Sequence, residues 1–306
     1  MKKISIVGAG RVGETTASIL AQDNLCQEVV LLDVREGAAA GAALDIQQAD
    51  TYFGSDTRVT GDTDPEIINN SSLVIVTAGS PRKPGMSRSD VLDVNRKVIE
   101  GIVDDVMKFA PDALLMLVSN PVDVLTWHAW KRTGWERNRV FGQAGVLDAS
   151  RMATFISLET GYSVKDIHTM VIGGHGDTMV PLFRHSTING IPVTEFLDTG
   201  AIQHITERTC HGGAEVLGLR KVSSAYHGPA AAIATMVDAI CNNRRRILPC
   251  ISVLNGEYRQ SGVTTGVPAI LGRNGIESVV EVDLDESEQA AFESSIVKIR
   301  EDLALL

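Results

Sequence analysis

Short apolar runs alternate with longer amphipathic segments along the first half of the chain. The runs are rich in β-branched residues and most end in Gly, Asn or Asp, so we interpret them as strands: KISIVGAG, EVVLLDV, RVTG, LVIVTAG, ALLMLVSN and RVFGQAG. Helix-like segments separate several of them, namely RVGETTASILAQDN, GAAAGAALDIQQAD and DVLDVNRKVIEGIVDDVMKF. Strands that alternate with helices indicate βαβ units, and the pattern therefore predicts an α/β fold with a doubly wound parallel sheet.

The pattern changes in the second half, where strands and helices no longer alternate. ASRMATFISLETG is typical of a helix, and IHTMVIGGHGDTMVPL of a strand followed by a turn. STINGIPVTEF predicts a hairpin that turns at Asn189 and Gly190, and a last helix is expected over about 286–305. We therefore predict two domains, residues 1–145 and a C-terminal α+β domain of residues 146–306. Since no linker separates them, we expect a large shared interface.

Composition excludes some classes of function without choosing among the rest. The 306 residues carry a net charge of −10, which argues against nucleic-acid binding because that function needs a dense basic face. No apolar run approaches the ~18 residues of a membrane span, and MKKISIVGAG is interpreted as a first strand and not as a signal peptide.

Cysteine and histidine positions favour a cytoplasmic protein without a bound metal. The four cysteines show no CxxC spacing, as expected of reduced thiols. Cys210 and His211 with His204 form the only cluster of ligand-type side chains, and one face of a helix explains it.

The segment ISIVGAGRVGE places Gly8, Gly10 and Gly13 between a predicted strand and a predicted helix. Gly8 would allow a tight turn, Gly10 the approach of a pyrophosphate, and Gly13 close packing of helix on sheet. The helix N-terminus at Arg11 and Val12 would present backbone N–H groups to the phosphates. Alone the motif is a weak signal, since a glycine loop can also serve packing.

Asp33 strengthens this interpretation, because it stands at the end of the second strand, twenty residues after Gly13. A carboxylate at that place can accept hydrogen bonds from an adenosine ribose. Together the features predict a Rossmann-type dinucleotide-binding domain over residues 1–145. The carboxylate would repel a 2′-phosphate and so favours NAD over NADP, whereas Arg35 could neutralise that phosphate and is a counter-signal.

Further motifs place potentially reactive side chains near predicted strand and helix ends. GGHGDT holds His175 between glycines, and LVSNPVD puts Asn120 at a strand end. In GVLDASRMATF, Asp148 and Arg151 are three residues apart and so share a helix face. The alternatives are a structural histidine and a first-turn aspartate with a nearby salt bridge.

The loop TAGSPRKPGMSR concentrates positive charge in an acidic chain. Arg82, Lys83 and Arg88 lie within seven residues among Gly and Pro. An acidic protein that binds small anions must concentrate cations locally, and these three residues are the candidates for doing so. The alternative is a set of solvated loop charges.

These motifs, in this order and over essentially the whole chain, resemble the NAD-dependent 2-hydroxy-acid dehydrogenases of the lactate/malate group. Within that family the chain is most similar to the malate-specific members of the lactate-dehydrogenase-like type. The resemblance implies NAD as the cofactor, interconversion of (S)-malate and oxaloacetate, and a homo-oligomer, either dimer or tetramer. A lactate or broad-range 2-hydroxy-acid dehydrogenase is the nearest alternative, and a nucleotide-binding protein without catalysis is another.

The resemblance also implies roles for the polar side chains. His175 would accept and return the substrate's hydroxyl proton, and Asp148 would hold its ring. Arg151 would grip one substrate carboxylate, and Arg88 would polarise the carbonyl oxygen. Arg82 would pair with the second carboxylate of oxaloacetate, since lactate-specific members carry Gln at that position.

The remaining implied contacts concern the nicotinamide end of the site. Asn120 would hydrogen-bond the substrate region, and its backbone would lie near the nicotinamide. Val118 and Asn95 would lie near the cofactor, and Ser224 would line the substrate pocket.

Overall fold

The structure is a computed structural model that describes residues 1–80 and 88–306, with side chains for all of these except Arg88 and Ser89. In the described residues the chain forms one eleven-stranded sheet, flanked by helices, and a separate three-stranded sheet.

Six parallel strands build the first half in the order β3-β2-β1-β4-β5-β6. Their bounds are β1 (Lys3–Val7), β2 (Glu28–Leu32), β3 (Arg58–Asp62), β4 (Leu73–Val76), β5 (Leu114–Leu117) and β6 (Val140–Gly142). The intervening helices are α1 (Arg11–Gln22), α2 (Ala38–Phe53), α3 (Arg88–Phe109) and α4 (Val122–Thr133). The order reverses at β1, which confirms the predicted doubly wound sheet and brings the carboxyl ends of β1 and β4 together at one edge.

The second half adds antiparallel strands and four helices. The helices are α5 (Gly145–Thr160), α6 (Thr199–Arg220), α7 (His227–Cys241) and α8 (Glu286–Leu303). The strands are β7 (Ile167–His168), β8 (Val171–Gly173), β9 (Met179–Pro181), β10 (Thr187–Ile188), β11 (Ile191–Pro192), β12 (Arg246–Asn255), β13 (Ser261–Gly272) and β14 (Gly275–Val279).

Two turns in this half bear on the sequence predictions. The predicted hairpin is confirmed, because Asn189 and Gly190 join β10 to β11 with φ values of 49° and 84°. The segment around His175 differs from the prediction, since a second strand follows the turn and pairs antiparallel with the first. Strands of three residues are too short to show a period in the sequence.

The large sheet and the core continue from one half into the other. β6 pairs with β12 through Gly142 and Ile251, and a Cβ at residue 142 would lie only 2.9 Å from the Cβ of Ile251. One buried cluster joins Ile4 and Leu31 of the first half to Ile233 of the second. The expected large interface is therefore confirmed, whereas the boundary between residues 145 and 146 stays a prediction.

Local sequence signals fix the elements that reach the candidate site. Helix α8 begins with a capping box, in which Asp285 Oδ1 accepts the N–H groups of Ser287 and Glu288, both at 2.9 Å. The Glu288 carboxylate in turn accepts the Asp285 N–H at 2.9 Å. Such a cap stabilises a helix by about 1 kcal/mol.

None of the described helices is long and apolar enough to cross a membrane.

Candidate active site

Three side chains from two sequence motifs, GVLDASRMATF and GGHGDT, form one hydrogen-bonded trio. His175 Nδ1–H donates to Asp148 Oδ2 at 2.9 Å, and Arg151 Nη1 donates to Asp148 Oδ1 at 3.0 Å. The Asp148 side chain is 2% exposed, compared with 19% for His175 and 15% for Arg151. Each oxygen of one buried carboxylate therefore holds a different candidate group.

Elements of the second half position this trio. Asp148 and Arg151 lie in the first turns of α5, and His175 lies in the turn between β8 and β9. Gly212 lies on α6 opposite Arg151, and a Cβ there would lie 3.1 Å from Arg151 Cδ. The sequence patterns did not predict this contact. Its only signal is the Gly212-Gly213 pair inside a helix, where glycine costs about 1 kcal/mol relative to alanine.

The backbone of the histidine turn is held from two sides by groups that the sequence analysis also missed. Ser295 Oγ of α8 accepts the N–H of Gly174 at 2.7 Å. Asp123 Oδ2 of α4 accepts the N–H of His175 at 2.9 Å. The turn is therefore fixed by hydrogen bonds to both neighbouring helices.

The electrostatic surroundings of His175 favour its protonated form. Burial alone would disfavour the imidazolium, but the charge and hydrogen bond of Asp148, helped by the charge of Asp123, outweigh it and raise the pKa of His175. Because Nδ1–H is committed to Asp148, Nε2 is the ring nitrogen that can exchange a proton with a ligand. The ring can thus serve as an acid or a base near neutral pH.

The glycine loop has the space that a dinucleotide phosphate requires. Gly8 has φ 107°, and a Cβ there would lie 2.6 Å from the backbone nitrogen of Ala78. A Cβ on Gly13 would overlap the carbonyl oxygen of Gly8, as expected where a helix packs closely on a strand. A Cβ on Gly10 would meet nothing within 4 Å, so this side of the loop is open. Helix α1 starts at Arg11, and its first N–H groups suit an anion.

Asp33 is tied both to the glycine loop and to Arg35. Its Oδ2 accepts the N–H of Ala9 at 2.8 Å, while Arg35 Nε donates to Oδ1 at 2.9 Å and Nη2 to Oδ2 at 3.0 Å. These hydrogen bonds, above all the one from the Arg35 side chain, lower the pKa of Asp33 and keep it ionised. The position fits a ribose diol, although Arg35 already occupies both carboxylate oxygens.

Asn95 joins the two strand ends that lie beside the predicted nicotinamide position. Its Oδ1 accepts the N–H of Ser80 at 2.7 Å, and its Nδ2 donates to the carbonyl oxygen of Asn120 at 2.7 Å. Val118 N–H donates to the carbonyl of Val76 at 2.9 Å. The structure thus shows Asn95 bridging backbone groups, and contact of Asn95, Val118 or Asn120 with a cofactor stays a prediction.

Some predicted residues lie outside the part of the chain that can be tested. Arg82 lies outside the described residues, and Arg88 begins α3 but its side chain is not described. Their substrate roles stay predictions. Within residues 1–80 and 88–306, no group of three or more His, Cys, Asp or Glu side chains could hold a metal ion.

A cavity of about 350 Å³ lies beside Arg151, between α5 and the end of α6. Tyr226 lines it, and the Arg11 guanidinium lies 5.5 Å from the centre of the Tyr226 ring, which links this side to the glycine loop. Ser224 is exposed in the same connection, and its neighbour Ala225 lines the cavity. The role of Ser224 in the substrate pocket stays a prediction.

Comparison with known proteins identifies related chains over the full length. Residues 2–142 match the family described as lactate/malate dehydrogenase, NAD binding domain, and residues 145–305 match lactate/malate dehydrogenase, alpha/beta C-terminal domain. The malate dehydrogenase of Thioalkalivibrio sulfidiphilus is 62% identical over 303 residues, which cover 99% of each chain.

Solved structures of malate and of lactate dehydrogenases match the backbone of this chain equally well. The malate dehydrogenase of Cryptosporidium parvum superposes with a TM-score of 0.96 at 37% identity, covering 100% of this chain and 99% of that one. The lactate dehydrogenase of the same organism, complexed with lactic acid and NAD, also reaches 0.96 at 36% identity, covering 99% and 97%. Backbone shape alone therefore does not separate the two activities.

Proposed function

The chain belongs to the lactate/malate dehydrogenase family, and on that premise we propose that it interconverts (S)-malate and oxaloacetate with NAD. The observation that carries this chemistry is the trio of His175, Asp148 and Arg151, joined at 2.9 Å and 3.0 Å. A protein that only bound nucleotides would have no use for a histidine held between two carboxylates.

Each residue of the trio has a task in the proposed reaction. Bound NAD supplies the acceptor for the hydride that leaves malate C2. Nε2 of His175 takes the proton of the C2 hydroxyl in this direction and returns it in the other. Asp148 orients the ring through Nδ1 and stabilises the imidazolium that results. Arg151 holds the carboxylate next to C2 with its guanidinium fork.

The choice of malate over lactate rests on the sequence and on the relatives. The resemblance implies that Arg82 pairs with the second carboxylate of oxaloacetate, and a relative that is 62% identical is named malate dehydrogenase. The alternative is a lactate or broad-range 2-hydroxy-acid dehydrogenase, for which the equally similar lactate dehydrogenase fold is the support.

Rates of NADH oxidation with oxaloacetate, pyruvate and 2-oxoglutarate, measured side by side, test the proposal. We expect strong preference for oxaloacetate. His175→Asn should bind NADH normally and lower turnover by at least ~10²-fold, the usual scale of general acid–base catalysis. Near-normal turnover in this variant would show that His175 is structural, and equal rates with pyruvate would favour the broad-range alternative.

Arg82→Gln tests the selector directly. A site that pairs a substrate group can reject an analogue lacking it by ~10⁴-fold, because its buried charge is left unpaired. We expect the oxaloacetate-to-pyruvate ratio of kcat/KM to fall by several orders of magnitude, mostly through loss of oxaloacetate activity. Arg88→Gln is the matched variant and should slow both substrates without changing their ratio. The same pattern in both variants would mean a general anion-attracting loop.

We extend the proposal to a homo-oligomeric enzyme of the cytoplasm. Large apolar side chains lie exposed along α2, with Leu44 at 62%, Tyr52 at 91% and Phe53 at 52% exposure, as a surface covered by a second copy would require. Light scattering after size exclusion checks this, and a mass of one chain at micromolar concentration would contradict it.

A further inference from the structure

A second carboxylate, that of Asp123, contacts His175 at its backbone, whereas Asp148 contacts its ring. Asp123 belongs to the first turn of α4 and is 6% exposed. Its Oδ2 accepts the His175 N–H at 2.9 Å, whereas its Oδ1 is buried and has no hydrogen-bond partner among the described residues. A buried carboxylate with one unpaired oxygen is unfavourable for folding, so packing alone gives no reason for its presence.

The neighbouring amide shows that a charge is not needed to hold this turn. Ser295, a neutral residue, accepts the Gly174 N–H at 2.7 Å and is completely buried. A hydroxyl or an amide oxygen would serve the His175 N–H equally well as an acceptor. What the carboxylate of Asp123 adds is its negative charge.

That charge lies where it can act on the imidazole. Asp123 and His175 line one cavity of about 240 Å³ between α4 and α8. Both side chains are largely buried, which strengthens interactions between their charges. Lys298 lines the same cavity, but it pairs with Glu301 at 3.0 Å and with Asp302 at 3.3 Å. The charged groups on the packed elements that face Asp123 or His175 are Asp148, Arg151, Asp177, Lys298 and Asp302.

We propose that Asp123 is a positioning residue for His175, which holds the histidine's backbone N–H and stabilises the imidazolium form with its negative charge. His175 would then lie between two anions, one at its ring and one at its backbone. The inference rests on the proposed role of His175 as the proton carrier.

The charge of Asp123 is itself sensitive to pH. Burial raises the pKa of Asp123 to about 6, so the group is ionised above this pH and neutral below it. Its support for the imidazolium is therefore present near neutral pH and is lost as the pH falls through about 6. The two groups should titrate as a coupled pair.

Asp123→Asn removes the charge and keeps an oxygen acceptor for the N–H. Oxaloacetate reduction needs the imidazolium, so its kcat/KM falls as the pH rises through the pKa of His175. We expect the variant to move this midpoint to lower pH by about one unit, the lower end of shifts caused by a nearby charge. The KM for NADH should stay unchanged.

Two matched variants separate charge from structure. Ser295→Ala removes the neutral acceptor at the adjacent amide and should lower kcat without moving the pH midpoint. Asp50→Asn neutralises another buried aspartate with an unpaired oxygen, on α2 beside the opposite edge of the sheet, and should change neither quantity. If the pH midpoint of kcat/KM for oxaloacetate reduction were the same in Asp123→Asn as in Asp50→Asn, the proposal would be overturned.

NMR titration of the histidine ring protons, in the protein without cofactor, measures the pKa of His175 independently of activity. The chain has seven histidines, and His175→Asn identifies the signal of residue 175. Its pKa should be lower by about one unit in Asp123→Asn.

The wild-type protein tests the proposal even if Asp123→Asn does not fold. Its His175 signal should show a second, lower inflection where Asp123 titrates, because burial raises the pKa of that carboxyl. A single inflection over the whole pH range in which the protein stays folded would overturn the proposal. Failure of the proposed function is distinguishable, because His175→Asn would then turn over normally whatever Asp123 does.

Discussion

An aspartate paired with an arginine occurs in two regions of the candidate site, and the two pairs differ in burial. Asp148 and Arg151 are 2% and 15% exposed, and the same carboxylate also holds His175. Asp33 and Arg35 are 10% and 64% exposed, and this carboxylate also accepts the N–H of Ala9.

The difference in burial predicts that one aspartate–arginine pair is fixed and that the other can be exchanged for a ligand. Removing one partner of a buried pair leaves an uncompensated charge and costs about 3–5 kcal/mol, so we expect Asp148 and Arg151 to form a fixed scaffold for the proposed reaction. A pair with one partner in solvent contributes only about 0–1 kcal/mol. Arg35 can therefore yield its place on Asp33 to a ligand.

Asp148→Asn should have the largest effect of the changes that test this comparison. The amide keeps the shape but cannot stabilise the imidazolium, and a comparable change in a serine protease triad lowers turnover ~10⁴-fold. We expect kcat to fall by at least ~10³-fold in both directions. Because the pKa of His175 is no longer raised by this carboxylate, the residual reduction should fade at lower pH than in wild type.

The control is Asp283→Asn, since the Asp283 side chain is 94% exposed. Turnover and its pH dependence should match wild type there. If kcat of Asp148→Asn were within tenfold of wild type, the buried pair of Asp148 and Arg151 would be a structural salt bridge without a role in the reaction.

Arg151→Lys comes next, because it preserves the charge and removes the planar fork. Bidentate hydrogen bonds to a carboxylate contribute about 1.5–3 kcal/mol, so the KM for oxaloacetate should rise ~10- to 100-fold with a smaller change in kcat. Steady-state kinetics with saturating NADH measures this. Arg132→Lys changes an exposed bidentate pair with Asp104 and should have no effect; an equally small effect at Arg151 would mean that its fork does not reach substrate.

How much of this the sequence could predict depends on how local each signal is. The βαβ half follows from periodicity, and Asp148 and Arg151 share a face because helical spacing requires it. The Asn189-Gly190 pair is by itself a sequence signal for a hairpin turn. Each of these signals lies within a few residues of the structure it predicts.

The unpredicted features are contacts between distant segments. Asp123 accepts a hydrogen bond from the N–H of His175, which lies 52 positions further along the chain. Its own motif suggests only an acidic residue in the first turn of a helix. The pairing of β6 with β12 depends on one residue pair, Gly142 with Ile251. The sequence indicates Arg35 as a counter-signal to NAD, but its hydrogen bonds to both oxygens of Asp33 depend on the three-dimensional position of each atom.

Asp33→Ser should have a moderate effect at the exposed pair. Serine keeps a small hydrogen-bonding group but removes the charge that repels a 2′-phosphate, and Arg35 is then left without its carboxylate. We expect NADH to bind ~10-fold more weakly and NADPH more tightly, a ratio that fluorescence titration of the two reduced cofactors measures. Selectivity that does not change would remove Asp33 from the ribose site.

Arg35→Ala should have the smallest effect and is the sharpest test of an exchangeable pair. Arg35 donates to both oxygens of Asp33. These are the acceptors that a ribose diol would need in the proposed site, so we expect NAD to displace Arg35. The exposed pair contributes at most about 1 kcal/mol, which corresponds to a factor of ~5 in affinity. The variant should therefore bind NADH up to ~5-fold more tightly, with a larger gain at low salt because the pair is screened by ions. NADPH should respond with the opposite sign, since its 2′-phosphate loses a nearby cation.

Arg245→Ala is the matched control, because Arg245 is 62% exposed and pairs with Glu277 at 2.7 Å, a partner outside the glycine loop and the trio. It should leave both affinities unchanged. If Arg35→Ala weakened NADH as well as NADPH, the guanidinium would be a contact of the bound cofactor and not a competitor for its place. The exposed pair would then be as fixed a part of the site as the buried one, and burial would not explain the difference between them.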